Sequence, residues 1–177
     1  MLLEKKIFAL SALTLLAVFC IDPPKINIDK DLASVRIEMV SQRFSGSLQI
    51  LETNIAFDPL KLEESYVEVT LSSESLNTGN LIRDIRLGSK KYLARKKHPL
   101  ITFKSKHIKD VYNGYLITGD LTIKEVTQEV IFDTGYRNGS IIGAGSLNLE
   151  DFKMPMSEKR YENKLDIYFD FPLVNPQ

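Results

Sequence analysis

The chain has one cysteine, two histidines and no excess of either charge, and each shortage removes a class of protein. A lone Cys20 cannot form an intramolecular disulfide. Lys plus Arg and Asp plus Glu both number 23, for a net charge of zero. A nucleic-acid binder carries a global or striped positive excess, so no nucleic-acid partner is expected. Neither His98 nor His107 has a Cys or carboxylate at metal-ligand spacing, so no metal site is expected. No serine sits in a Gly-x-Ser-x-Gly setting, and no glycine-rich phosphate loop is present. Asp58 and Asp84 stand alone in turn or helix-start contexts, where Asp stabilises local backbone. The expectation is therefore a protein without catalytic residues and without a cofactor. Low-complexity tracts and internal repeats are also absent.

One long apolar run is present, Ile7 to Phe19, preceded by Lys5 and Lys6. This is a secretory signal pattern, too short for a comfortable membrane span. Residues 1–20 read as a signal peptide, which places the mature chain outside the cytoplasm, in the periplasm or envelope. Two readings of Cys20 stay open. Its position at the end of the run suits a lipoprotein acylated at Cys20, which would be membrane-anchored. The preceding Ala17-Val18-Phe19 lacks the small residue expected there, which suits plain cleavage after Cys20. Residues 21–25, with Pro23 and Pro24, read as an extended tether, and residues 26–177 as one domain.

Period-two alternation dominates that domain. Val35, Ile37 and Met39 alternate with Arg36 and Glu38, and Val67, Val69 and Leu71 with Glu68 and Thr70. Ile101 and Phe103, Tyr115 and Ile117, Leu121 and Ile123, and Ile167, Phe169 and Phe171 repeat the pattern. Such segments are antiparallel strands with one wet and one buried face. Phe57-Asp58-Pro59, Asn113-Gly114 and Asn138-Gly139 mark turns. The spacing predicts an all-β fold of about eight strands, a sandwich or a closed barrel, and closure removes exposed edges. One segment differs. Over residues 80–95, Leu81, Ile82, Ile85 and Tyr92 recur at helical spacing, Thr78 or Asn80 could cap the start, and Gly88 interrupts. A short broken helix lying across one barrel end is expected there.

The same segment concentrates positive charge. Arg83, Arg86, Lys90, Lys91, Arg95, Lys96 and Lys97 are opposed only by Asp84. Three readings stand: contact with anionic lipid headgroups, contact with a ligand's phosphate at the barrel mouth, or a solvated face. Tyr92 and Leu93 would add apolar groups beside the charge. Arg83, Lys90, Lys91 and Tyr92 are thus candidate mouth or headgroup residues. The Arg83-Asp84 pair is either a polar contact at that mouth or a device that fixes the helix on the barrel.

The inward positions are the other candidates: Ile37, Met39, Phe44, Leu48, Phe57, Val69, Leu71, Phe103, Ile117, Ile123, Phe132, Phe152, Ile167 and Phe169. A barrel of about eight strands either fills its interior with side chains or holds one small ligand. These residues would line a dry core or a tunnel, and alternation alone does not choose. Met154 and Met156, flanking Pro155, could form an adaptable edge.

Three blocks carry a resemblance. Leu76 to Ser89 reads L-N-T-G-N-L-I-R-D-I-R-L-G-S, His98 to Ser105 reads H-P-L-I-T-F-K-S, and Tyr115 to Val130 reads Y-L-I-T-G-D-L-T-I-K-E-V-T-Q-E-V. With F-S-G-S-L-Q-I at Phe44 to Ile50, the run Ile55 to Leu71, and Lys164 to Phe171, the ordered set resembles the YceI-like family of bacterial secreted lipid-binding proteins. The resemblance implies a lipocalin-like barrel enclosing a long isoprenoid, quinone-like or fatty chain, with no enzymatic activity, often as a homodimer. It turns the inward set toward a tunnel. Three stretches depart from the family pattern: Lys124-Glu125-Val126, where a Gly is usual; the basic Lys90 to His98, usually acidic and aromatic; and Phe152 to Ser157. Two rivals remain: an interaction or stress-response module with a filled barrel, and an enzyme acting on an envelope lipid.

Overall fold

The computed structural model describes residues 23–174; the signal peptide, Cys20 and the first tether residues lie outside them. Ten strands follow in chain order: β1 (Lys25–Ile26), β2 (Ser34–Met39), β3 (Phe44–Leu48), β4 (Ile50–Ala56), β5 (Tyr66–Ser72), β6 (Leu100–Val111), β7 (Gly114–Ile123), β8 (Val126–Arg137), β9 (Ser140–Asn148) and β10 (Lys164–Pro172). One helix, α1 (Leu81–Leu87), lies between β5 and β6. Every pairing is antiparallel, in the order β1-β4-β5-β6-β7-β8-β9-β10-β2-β3.

The sheet curls into a barrel because β3 and β4 are one stretch of chain, separated only by Gln49. Its first half pairs with β2 at one limit of the sheet, and its second half pairs with β5 near the other. Two further bridges complete the seam, Ser47 with Asn77 and Ile28 with Leu173. Counting β3 and β4 as one, and leaving aside the two-residue β1, the wall has the eight strands that the alternation predicts. Among the described residues the edges left unpaired, along β3 and β4, are short, which limits a template for aggregation.

β7 shows how sequence makes the wall. From Ile117 to Ile123 its burial alternates strictly, with Ile117, Gly119, Leu121 and Ile123 inward. Successive side chains in a strand point to opposite faces, so the apolar set all reaches the interior. The turns follow local chemistry. Asn138 and Gly139 both take positive φ, 52° and 82°, in a two-residue hairpin closed by Arg137 and Ser140. The hairpin expected at Asn113-Gly114 is shifted by one: Val111 pairs with Gly114, so Tyr112 and Asn113 form the loop, with Asn113 at φ 69°. Lys124, where the family favours Gly, is held at φ 59°.

The barrel has two unlike ends. The hairpin end carries residues 111–114, 137–140 and 57–65, together with β1 and the chain after β10. Lys25 is not tether, since it pairs with Ala56, and the Phe57 N–H donates to the Pro24 carbonyl at 3.0 Å. The capped end carries residues 73–99 and 149–163. The expected helix over 80–95 is α1 alone, because Gly88 ends it and the chain then runs on in turns. Asn80 caps it by accepting from the Arg83 N–H at 3.0 Å. Asp84 Oδ1 accepts from Thr78 N–H at 3.0 Å and Thr78 Oγ1 at 2.6 Å, which ties α1 to the strand seam. Asn163, fully buried, does the same for the other capping loop. Its Oδ1 accepts from Met156 and Ser157 N–H, and its Nδ2 donates to the Ser157 carbonyl at 2.8 Å.

Candidate functional site

Inside the barrel lies a cavity of about 400 Å³, within the usual range for small-molecule sites. Twelve of the fourteen inward candidates line it: Ile37, Phe44, Leu48, Phe57, Val69, Leu71, Phe103, Ile117, Ile123, Phe132, Ile167 and Phe169. Met39 and Phe152 do not. Both are essentially inaccessible and belong to the buried core at the capped end. Alternation tells inside from outside, but not whether an inside position faces the void or the cap.

The lining also includes side chains that the candidate set missed. Val35, Val67, Ile101, Tyr115, Leu121 and Phe171 share the period-two phase of their neighbours, so the signal was there. Leu76, Leu87, Tyr92, Leu149 and Met154 come from the capping segments, which carry no period-two signal. Met156 lies at the same edge.

A belt of aromatic rings crosses the wall. Phe103, Phe132, Phe169 and Phe171 come from β6, β8 and β10, with successive centroids 5.2, 5.7 and 4.8 Å apart. The strands between supply glycine. A Cβ at Gly119 would sit 2.6 Å from the Phe103 ring and one at Gly145 2.6 Å from the Phe132 ring, while one at Gly143 would overlap Phe169. The missing side chains on β7 and β9 thus let the rings lie against the wall instead of filling the centre. Phe103–Phe132 and Phe132–Phe169 meet edge to face, and such pairs hold one another in place.

The chemistry of the cavity is almost purely apolar. Among the described residues no charged side chain lines it. Thr134 spends its hydroxyl on the Tyr115 carbonyl, at 2.9 Å. Nothing inside could stabilise developing charge, whereas apolar chain would be favoured at roughly 0.8 kcal/mol per buried CH₂. At the capped end Leu76, Leu87, Tyr92, Leu149 and Met154 are buried, and Leu93 and Met156 beside them are half-buried. At the hairpin end Phe57, Tyr115, Ile141 and Leu173 are partly exposed and Tyr136 is 70% exposed, so the mouth opens there. Phe57 and Tyr115 meet edge to face across it, 4.8 Å between centroids.

Three of the four candidate headgroup residues stand away from the cavity. Arg83 lies over the outer side of Phe44, 4.8 Å from ring centroid to guanidinium carbon, and Lys90 and Lys91 are exposed. Tyr92 does reach the lining, but as a buried roof side chain, with Arg86 donating to its hydroxyl at 3.2 Å. These residues gather at the capped end because α1 crosses it, while the mouth is at the opposite end. Arg83 and Asp84 form no ion pair with each other; Asp84 fixes the helix and Arg83 packs on Phe44. His98 Nε2 lies 3.3 Å from Glu125 Oε1, where Lys97 also bonds at 2.7 Å and holds the Glu125 carboxyl below its ordinary range. Neither His98 nor His107 lines the cavity. Among the described residues no three His, Cys, Asp or Glu side chains converge as a metal site.

An eight-stranded antiparallel barrel enclosing an apolar pocket open at one end defines a lipocalin-like binding architecture. The chain belongs to the YceI-like domain family, which matches residues 24–173. A UPF0312 protein of Photorhabdus laumondii is 33% identical over 118 residues, spanning 60% of this chain and 61% of that protein. Among solved structures, BcnA of Burkholderia cenocepacia superposes with a TM-score of 0.70 at 20% identity, covering 82% of this chain and 98% of that one. A polyisoprenoid binding domain of Saccharophagus degradans, implicated in plant cell wall breakdown, superposes with a TM-score of 0.53 at 9% identity, covering 84% and 97%. These identities speak for the fold alone.

Proposed function

We propose that the protein binds a long-chain apolar lipid of the polyisoprenoid or quinone-like class, and carries or stores it in the bacterial envelope. The observation that supports this most is the cavity: about 400 Å³, free of charged lining and open at one end. The polyisoprenoid binding domain of Saccharophagus degradans, with its similar fold, supports the class of ligand. No reaction is proposed, and no cofactor. The chain's apolar leader, Ile7 to Phe19, supports export, with Cys20 as either a lipidation site or a cleavage site. A homodimer is part of the proposal only through the family resemblance.

Affinity would come from tail burial along the Phe belt, while a polar head would remain at the hairpin-end mouth near Tyr115 and Tyr136. The test is a titration of the chain from Asp22, stripped by organic solvent and refolded, with prenols and fatty acids of increasing length. Thermal stability should rise with chain length until the cavity is filled, because a ligand that binds only the folded state stabilises it. Ile167→Trp, which narrows the cavity, should lower the chain length at which the rise levels off and keep the fold. No rise with any chain would favour the filled interaction module. Turnover of an added lipid would favour the enzyme.

A further inference from the structure

The apolar stripe of α1 faces outward. Leu81, Ile82 and Ile85 are 75, 80 and 59% exposed, whereas Leu87 is buried over the cavity. At 100° per residue the three exposed side chains fall within one arc of about 100°, with Leu87 well away from it. Among the described residues no other single element carries three exposed large apolar side chains. Isolated exposed hydrophobes are ordinary, but three on one helical face, with no element of the described residues over them, form a patch.

The patch is framed by cations. Arg86 is exposed beside it, and Lys90, Lys91 and Lys96 follow in the adjoining turns, all exposed. Among the described residues none of these lysines makes an ion pair. The two nearest carboxylates are engaged, Asp84 by Thr78 and Glu125 by Lys97 and His98. Apolar side chains standing out of a surface, followed in the next turns of the chain by exposed lysines without ion pairs, match a phospholipid interface: acyl chains below, anionic headgroups around. Leu93 and Tyr92, the apolar groups within the basic run itself, are turned inward and are not available for this.

We infer that the outer face of α1, with Lys90, Lys91 and Lys96, is a docking surface for anionic phospholipid bilayers. Docking puts the capped end against the membrane and the Leu87–Tyr92 roof within one helix thickness of the lipid. The use of such a surface rests on the lipid-carrier reading, but its existence does not.

The test is co-sedimentation of the chain from Asp22, which keeps every strand and has no leader to insert by itself. Vesicles of phosphatidylcholine alone are compared with vesicles that also contain phosphatidylglycerol. The protein should sediment with the anionic vesicles and be released as salt rises. Lys90→Gln with Lys91→Gln should weaken partitioning about 30-fold, which is ~1 kcal/mol for each charge near such a surface. Leu81→Ser with Ile82→Ser, both exposed and so tolerable to the fold, should weaken it at least tenfold on the order expected for lost apolar contact. Ile167→Trp, with its cavity narrowed, should sediment as the wild type does, which separates docking from ligand uptake into the barrel. Equal partitioning by wild type and both surface variants would overturn the inference. So would an α1 face that drives self-association in solution, seen by sedimentation velocity, with no vesicle binding.

Discussion

The two ends of this barrel are built from different material. The hairpin end is built of two two-residue turns and the 57–65 loop, leaves Phe57, Tyr115 and Tyr136 partly in water, and opens into the cavity. The capped end is closed by residues 73–99 and 149–163, packed around Phe152, Met39 and Asn163, which are among the most deeply buried of the described side chains. A barrel wall alone would leave both ends open, so the ligand space exists because one end was given a core of its own. Stability and binding are thereby separated along the barrel axis.

That separation can be broken most directly at Phe152. Phe152→Ala should cost about 3 to 5 kcal/mol in urea unfolding, because it empties a solid site. Phe57→Ala, at the half-exposed mouth, should cost no more than about 2 kcal/mol and chiefly weaken ligand binding. Similar costs at the two positions would contradict the division. Asn163→Ala comes next. It removes partners from the Met156 and Ser157 N–H groups, at about 2 to 3 kcal/mol, since each orphaned buried group is expensive. Hydrogen exchange at residues 154–163 should quicken before that of β7.

The wall between the ends gives a smaller effect. Gly143→Ala forces the Phe169 ring off the wall and into the cavity, at about 1 to 3 kcal/mol. It should shorten the longest chain that binds. A Gly143→Ala variant with unchanged ligand-length preference would show that the belt does not shape the cavity.

The smallest effect is that of pH, and it acts on the outside of the wall. Asp166 is held below its ordinary range by bonding with Lys164 and then Ser146, and Glu68 by Asn54 and then Lys104. Both folded-state values are depressed, so their contribution is present above the ordinary carboxylate range near pH 4 and is lost as pH falls through the lower folded values. Thermal stability should therefore decline on acidification below about pH 4. Asp166→Asn should flatten part of that decline.

The wall was legible because period two carries its own meaning: Val69, Phe103, Ile117 and Phe169 face inward by the same rule that identifies them as strand residues. The ends were not, for two physical reasons. A seven-residue helix offers too few turns for its apolar stripe to say which way it faces, and the stripe of α1 proved to face water. The residues that seal the cap, such as Leu149 and Met154, lie in irregular chain, where inward and outward have no period. The same blindness put Arg83, Lys90 and Lys91 at a mouth that lies at the other end of the barrel. Position in chain placed them beside a barrel end, but not beside which one.

The central claim is that the interior is a ligand space and not a filled core. Native mass spectrometry of the chain from Asp22, purified from its own cells and followed by organic extraction, tests it most directly. The account predicts a bound mass that extracts as an isoprenoid or fatty chain and is reduced in Ile167→Trp. A clean apo mass, unchanged after incubation with quinones and fatty acids, would contradict it.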